Sequence, residues 1–152
     1  MASGSGRVQT ACGPLAHLRQ SRLVTALRIL AVAAGGAVGA VARYTVSSSL
    51  AASLRSGFPW GTFFVNAAGC LVIGILMSGA TRLVHHPNLQ ALLVTGFLGS
   101  LTTFSTFSLE TILLIEARSY WAAAGNVVLS LVVGLAAVLA GGAIARAIAR
   151  VG

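Results

Sequence analysis

The residues best placed to do chemistry form one run, Gly96-Phe97-Leu98-Gly99-Ser100-Leu101-Thr102-Thr103-Phe104-Ser105-Thr106-Phe107-Ser108-Leu109-Glu110. Gly96 and Gly99 lose backbone entropy in a helix, and the β-branched, hydroxyl-rich stretch from Ser100 to Ser108 forms helix poorly. If the run crosses a membrane, a helix break is expected at Gly99 to Thr102. Carbonyls freed by a break persist in hydrocarbon only when buried in protein or bonded to a ligand, water or ion, and such oxygens bind hard cations. A continuous helix whose hydroxyls bond back to the preceding turn is the competing reading. Phe104 and Phe107 are three apart and share a helix face, which suits core packing. Their positive ring edges could equally face an anion, which neighbouring hydroxyls would receive without a fixed charge to trap it.

Other polar side chains interrupt apolar surroundings. The amide of Asn66 is costly there unless hydrogen bonded, either to an anion or to a Ser or Thr of a neighbouring helix. Asn126 and Ser130 are four apart and share a helix face. Arg43 lies about 15 residues into its apolar segment, too deep for an ordinary flank. It could snorkel to the nearer interface or draw anions toward a vestibule. Glu110 follows Thr106 by one turn, so it either bounds the polar strip or marks a solvated helix end.

The elements that carry these residues must be membrane helices. In 152 residues, 57% are hydrophobic and 8% charged, with a mean hydropathy of +0.92. Those values exclude an ordinary soluble domain. The absence of Asp and Lys excludes paired-aspartate hydrolysis and the lysine of a P-loop. Ten arginines against Glu110 and Glu116 give a net charge of +8, but they stand singly between apolar runs, which fits membrane flanks and not a nucleic-acid surface. Gly61 to Thr81, Pro87 to Leu109 and Ser119 to Ala145 are uncharged, while Ile29 to about Leu54 is broken only by Arg43. Each meets the roughly 20 helical residues that a bilayer core of about 30 Å requires. The chain is therefore expected to be an all-α membrane protein of four transmembrane helices with a broken third helix.

The connections, Arg55 to Trp60, Arg82 to Pro87 with its His85-His86-Pro87 turn, and Ala117 to Tyr120, leave no room for an extramembrane domain. Residues 1–28 read as a basic mobile tail, 29–147 as the membrane unit and 148–152 as a short C-terminal tail. Cys12 and Cys70 lack metal or redox spacing. Most glycines fit close helix packing, with Gly35 and Gly39 a GxxxG pair and Ser130 and Gly134 a small-xxx-small pair. In span order, Arg7, Arg19, Arg22, Arg28, Arg82, Arg146 and Arg150 fall on one side, with Arg55 and Arg118 on the other. The positive-inside rule then places both termini in the cytoplasm of a multi-pass protein of the cell membrane.

Three fragments carry a resemblance: Gly36-xx-Gly39-Ala40-xx-Arg43-Tyr44, Gly61-Thr62-xx-Val65-Asn66-xx-Gly69, and Gly96-Phe97-Leu98-Gly99 running into Thr102-Thr103-Phe104-Ser105-Thr106-Phe107-Ser108-x-Glu110. Together they closely resemble the Fluc/CrcB fluoride channel family, over all four spans from about Ile29 to Ala147. The resemblance implies an antiparallel dimer, of the chain with itself or with a homologous subunit, that has two fluoride pathways. It also implies a structural, non-transported Na+ held by the backbone carbonyls of Gly99 and Thr102. Carried over by position, Phe104 and Phe107 supply ring edges and Asn66 an amide donor. Ser105, Thr106, Ser130 and Glu110 line the track, and Arg43 belongs to the vestibule. Ser100, Cys70 and Asn126 depart from the common pattern, which often has glycine, serine and tyrosine at those positions.

The expected function is passive, fluoride-specific export that lowers cytoplasmic fluoride, with the bilayer and fluoride as partners and no nucleic acid. The alternative is a small four-helix proton-coupled multidrug exporter. That chemistry needs a carboxylate within a span, whereas Glu110 and Glu116 lie toward an interface. No enzyme chemistry is expected.

Overall fold

The computed structural model describes residues 14–54, 57–78 and 86–151, with side chains from Arg19 onward. Arg7, Cys12, Arg55, Arg82 and His85 lie outside the described residues. The described chain is helical and contains no strand: α1 (Pro14–Leu54), α2 (Trp60–Met77), then α3 (Pro87–Gln90), a π-helical stretch (Ala91–Leu98) and α4 (Gly99–Leu101), followed by α5 (Phe104–Glu116) and α6 (Tyr120–Val151). Four segments are long and apolar enough to cross a bilayer: Arg19–Leu54, Trp60–Met77, Pro87–Glu116 and Tyr120–Val151. This is a multi-pass all-α membrane protein.

Two helices outrun their expected bounds. α1 begins at Pro14, so residues 14–28 are helical where a mobile tail was expected, and α6 continues through the expected C-terminal tail to Val151. The extension of α1 follows from residue propensities: proline suits a first helical position, and Leu, Ala, Gln and Arg form helix well. Helix thus continues beyond the apolar stretch that was used to place its boundary.

Apolar side chains cover much of the outside, including Leu135 (68% exposed) and Leu139 (72% exposed), as the faces of a membrane protein must. Between helices, glycines set the spacing. A Cβ on Gly35 would strike the Leu92 carbonyl, one on Gly39 the Phe97 carbonyl, and one on Gly96 the Val32 carbonyl at 2.7 Å. α1 and the first half of the third span therefore run in the same direction with their backbones nearly touching. α2 and α6 pair in the same way, with Gly74 against Val138 and Gly141 against Leu71. Gly61 meets Ser47, which makes α1 and α2 an antiparallel hairpin. The N-terminal end of α1 and the C-terminal end of α6 consequently share one side, with Arg19, Arg22, Arg28, Arg146 and Arg150, while Glu116 and Arg118 lie on the other.

The third span breaks. Helical geometry holds through Leu101, then Thr102 (ψ 153°) and Thr103 (φ −150°, ψ 119°) are extended before α5 starts at Phe104. The residues that leave the helix are two β-branched threonines, whereas Gly99 remains helical (φ −63°, ψ −29°). A wide π-turn precedes the break, with the Gly99 N–H reaching back to the Val94 carbonyl.

Candidate functional site

Several polar groups at the break are bonded within the subunit. The Thr102 N–H and hydroxyl both donate to the Leu98 carbonyl, at 3.0 and 2.9 Å. Arg43 Nε donates to the Ser100 carbonyl at 3.0 Å. The arginine is thus held to the break by its Nε, because a broken helix end in hydrocarbon offers a carbonyl that needs a donor. Asn66 clamps the far side of the break: its Oδ1 accepts from the Thr103 N–H at 2.8 Å and its Nδ2 donates to the Thr103 carbonyl at 3.2 Å. The interhelical bond expected for Asn66 is therefore made to a threonine backbone. It commits one of the two amide hydrogens. The Thr103 hydroxyl caps α5 by accepting from the Thr106 N–H at 3.2 Å, and it donates to Thr106 Oγ1 at 3.0 Å. Among the described residues, no hydrogen bond is donated to the carbonyls of Gly99 or Thr102.

Two spaces flank this knot. One is an open groove of about 400 Å³ whose lining includes Asn66, Gly99, Thr102, Phe104, Phe107 and Ser130 and no charged residue. Phe104 and Phe107 have ring centroids 5.7 Å apart and planes tilted by 40°, and Phe104 is 79% exposed. Both rings line the groove. Ser130 lines the same groove, and its hydroxyl is buried without a hydrogen-bond partner. The other space, of about 220 Å³, is polar and is lined by Arg43, Tyr44, Thr62, Thr103, Thr106 and Glu110, among others. There the Thr62 hydroxyl donates to Glu110 Oε1 at 2.7 Å, and Oε2 is buried without a partner.

The expected site residues are thereby divided. Asn66, Phe104, Phe107, Ser130, Gly99 and Thr102 meet at the groove, while Arg43, Thr106 and Glu110 meet at the polar cavity. Ser105 lines neither and lies 3.2 Å from the Thr103 hydroxyl. Asn126 shares a helix face with Ser130 but is absent from the groove; it is 1% exposed and donates to Thr111 Oγ1 at 2.9 Å. Sequence reasoning missed Thr103, which touches both spaces, and gave no role to Thr62 or Thr111. Thr103 had a readable signal, a β-branched hydroxyl residue three positions before Thr106 at the start of a helix. The Thr62–Glu110 pair is 48 residues apart in the chain and had none.

A chain of four membrane helices whose third span is broken at mid-course, with a clamped break between an uncharged groove and a polar cavity, has the architecture of a small membrane channel subunit. Comparison with known proteins places it more narrowly. Residues 30–142 match the family described as CrcB-like protein, Camphor Resistance (CrcB), and the chain belongs to that family. It is 46% identical over 112 residues to the fluoride-specific ion channel FluC 1 of Streptomyces avermitilis, covering 74% of this chain and 90% of that protein. It is also 46% identical over 125 residues to the fluoride-specific ion channel FluC of Rhizobium etli, covering 80% and 98% respectively. The FluC of Desulfotalea psychrophila is 46% identical over 113 residues, covering 74% of this chain and 88% of that protein.

Proposed function

We propose that this chain is a subunit of a fluoride-specific ion channel that lets fluoride leave the cell passively. The observation that carries the reading is the uncharged groove lined together by Asn66, Phe104, Phe107 and Ser130, residues that can offer an amide hydrogen, ring edges and an unpartnered hydroxyl. Donors of this kind can replace part of the hydration shell of a small anion without a fixed charge that would hold it. The relatives bear the same activity in their names, which supports a channel over both an enzyme and the proton-coupled exporter alternative. Expression in a bacterium that lacks its own fluoride export should restore growth in fluoride. Continued sensitivity, with the protein present in the membrane, would count against the reading.

The proposal extends to assembly. The groove is open on one side and Phe104 projects from it, so a second subunit, antiparallel to the first, would close the pathway. The uncommitted carbonyls of Gly99 and Thr102 fit a hard monovalent cation, with the Ser100 carbonyl between them already held by Arg43. Na+ bound there would supply the positive charge that the freed carbonyls need. Replacing sodium by a large organic cation should lower fluoride flux, and returning sodium should restore it. Full flux after prolonged exchange would contradict a sodium role for these carbonyls.

The arginine bias, seven to two in span order with Arg43 inside, favours one orientation, with the termini in the cytoplasm and an oppositely biased homologue as partner. Cysteine labelling of a site near the N-terminus and one beside Arg118, in intact and lysed cells, should show opposite protection. Equal protection of the two sites would mean dual topology and a homodimer.

A further inference from the structure

Among the described residues, the most deeply buried large side chain is polar and lines neither the groove nor the polar cavity: Asn126 on α6, 1% exposed. An amide at that depth is costly unless bonded. Its Nδ2 donates to Thr111 Oγ1 at 2.9 Å, and the Thr111 hydroxyl in turn donates to the Phe107 carbonyl at 2.8 Å. By accepting from Asn126, the threonine oxygen has its own proton turned toward Phe107, and each bond polarises the next. The relay therefore ties α6 to the turn of α5 that carries the ring. One turn further along α6, Ser130 faces the groove that Phe107 lines from the other helix.

We propose that Asn126 is a positioning residue for the anion pathway: through Thr111 it fixes the rotation of α5 against α6, and so sets the spacing between the Phe107 ring edge and the Ser130 hydroxyl. The inference rests on the fluoride-channel reading, but the placement of the ring can be tested without it. The relay also explains why asparagine can occupy this buried place. Thr111 presents a hydroxyl within its short reach, so no longer side chain is needed.

The test uses the full chain with 4-trifluoromethylphenylalanine at position 107, read by ¹⁹F NMR in detergent micelles, beside single-channel fluoride recordings of the unlabelled protein. Asn126→Leu keeps the branching of the side chain and removes the amide, and Thr111→Val keeps the shape and removes the hydroxyl. Both should shift or broaden the ¹⁹F resonance and lower the unitary conductance at least severalfold, and the double variant should be no worse than the worse single one. Conductance per open channel does not change when only the number of folded channels falls, so a purely structural role would leave it untouched. Asn126→Gln should recover part of the conductance. An unmoved resonance in both single variants, or effects that multiply in the double variant, would overturn the relay. A wild-type chain that passes no fluoride would overturn the channel reading instead, and the ¹⁹F spectra would still decide the placement of Phe107.

Discussion

Replacing Phe107 with isoleucine should abolish or greatly reduce fluoride flux, and Phe104→Ile should do the same, while both variants keep the helical content and thermal stability of the parent. The reason is electrostatic. Isoleucine fills much of the space of the ring but offers no positive edge, and Phe104 in any case projects from the subunit at 79% exposure, where its loss removes little internal packing. Losing about 1.4 kcal/mol of anion stabilisation at a barrier already slows passage roughly tenfold. The rings are 5.7 Å apart and would act on successive positions of one ion, so the double variant should be below detection. Flux measured in liposomes at matched protein density checks this. Unchanged flux in both single variants would remove the rings from the pathway.

Asn66→Leu should destabilise the protein more than any other single change at the site. The leucine would leave the Thr103 N–H without a partner inside the membrane and would take from the Thr103 carbonyl one of the donors it accepts. An unsatisfied buried polar group costs about 1–3 kcal/mol and the lost bond to the carbonyl adds about 1 kcal/mol, so the change should cost roughly 2–4 kcal/mol. Asn66→Asp keeps an acceptor for the N–H and loses the donor to the carbonyl, which should place it between the parent and Asn66→Leu. Thermal unfolding in detergent, followed by loss of helical signal, gives the order. An Asn66→Leu protein as stable as the parent would show that the clamp does not hold the break.

The four spans were legible because each is an uncharged or nearly uncharged run of sufficient length, and the glycines of α1 were legible because GxxxG spacing has few uses other than close packing. The break was also legible: it begins at Thr102, the last residue of the stretch expected to hold it, and continues into Thr103. Gly96 and Gly99 drew attention as the weak points, yet they are helical, and Gly96 serves the contact with α1. The threonines leave the helix because Asn66, from 37 residues away, rewards an extended Thr103 with two hydrogen bonds. No local propensity records such a bond. The helical start at Pro14 was hidden differently, since composition had suggested a tail while residue-level propensity favoured helix.

The polar track was read as one strip and is two surfaces. Spacing along α5 fixes which residues share a face, and it correctly joins Phe104 with Phe107 and Thr106 with Glu110. It cannot show that Thr62 would meet the glutamate or that Ser130 would line the same groove as the phenylalanines, because both depend on how α2 and α6 pack. Asn126 is the sharpest case: the same helical spacing that puts it on a face with Ser130 leaves it buried against Thr111 and outside the groove.

Fluoride efflux from liposomes that contain the purified protein, with chloride as the control anion and sodium present, is the most direct measurement of the central claim. The expected result is rapid fluoride release that depends on the protein, with chloride retained over the same interval. Equal release of both anions would mean a leak or an unselective pore. Retention of fluoride by a folded, correctly assembled protein would contradict the assignment of this groove as a fluoride pathway.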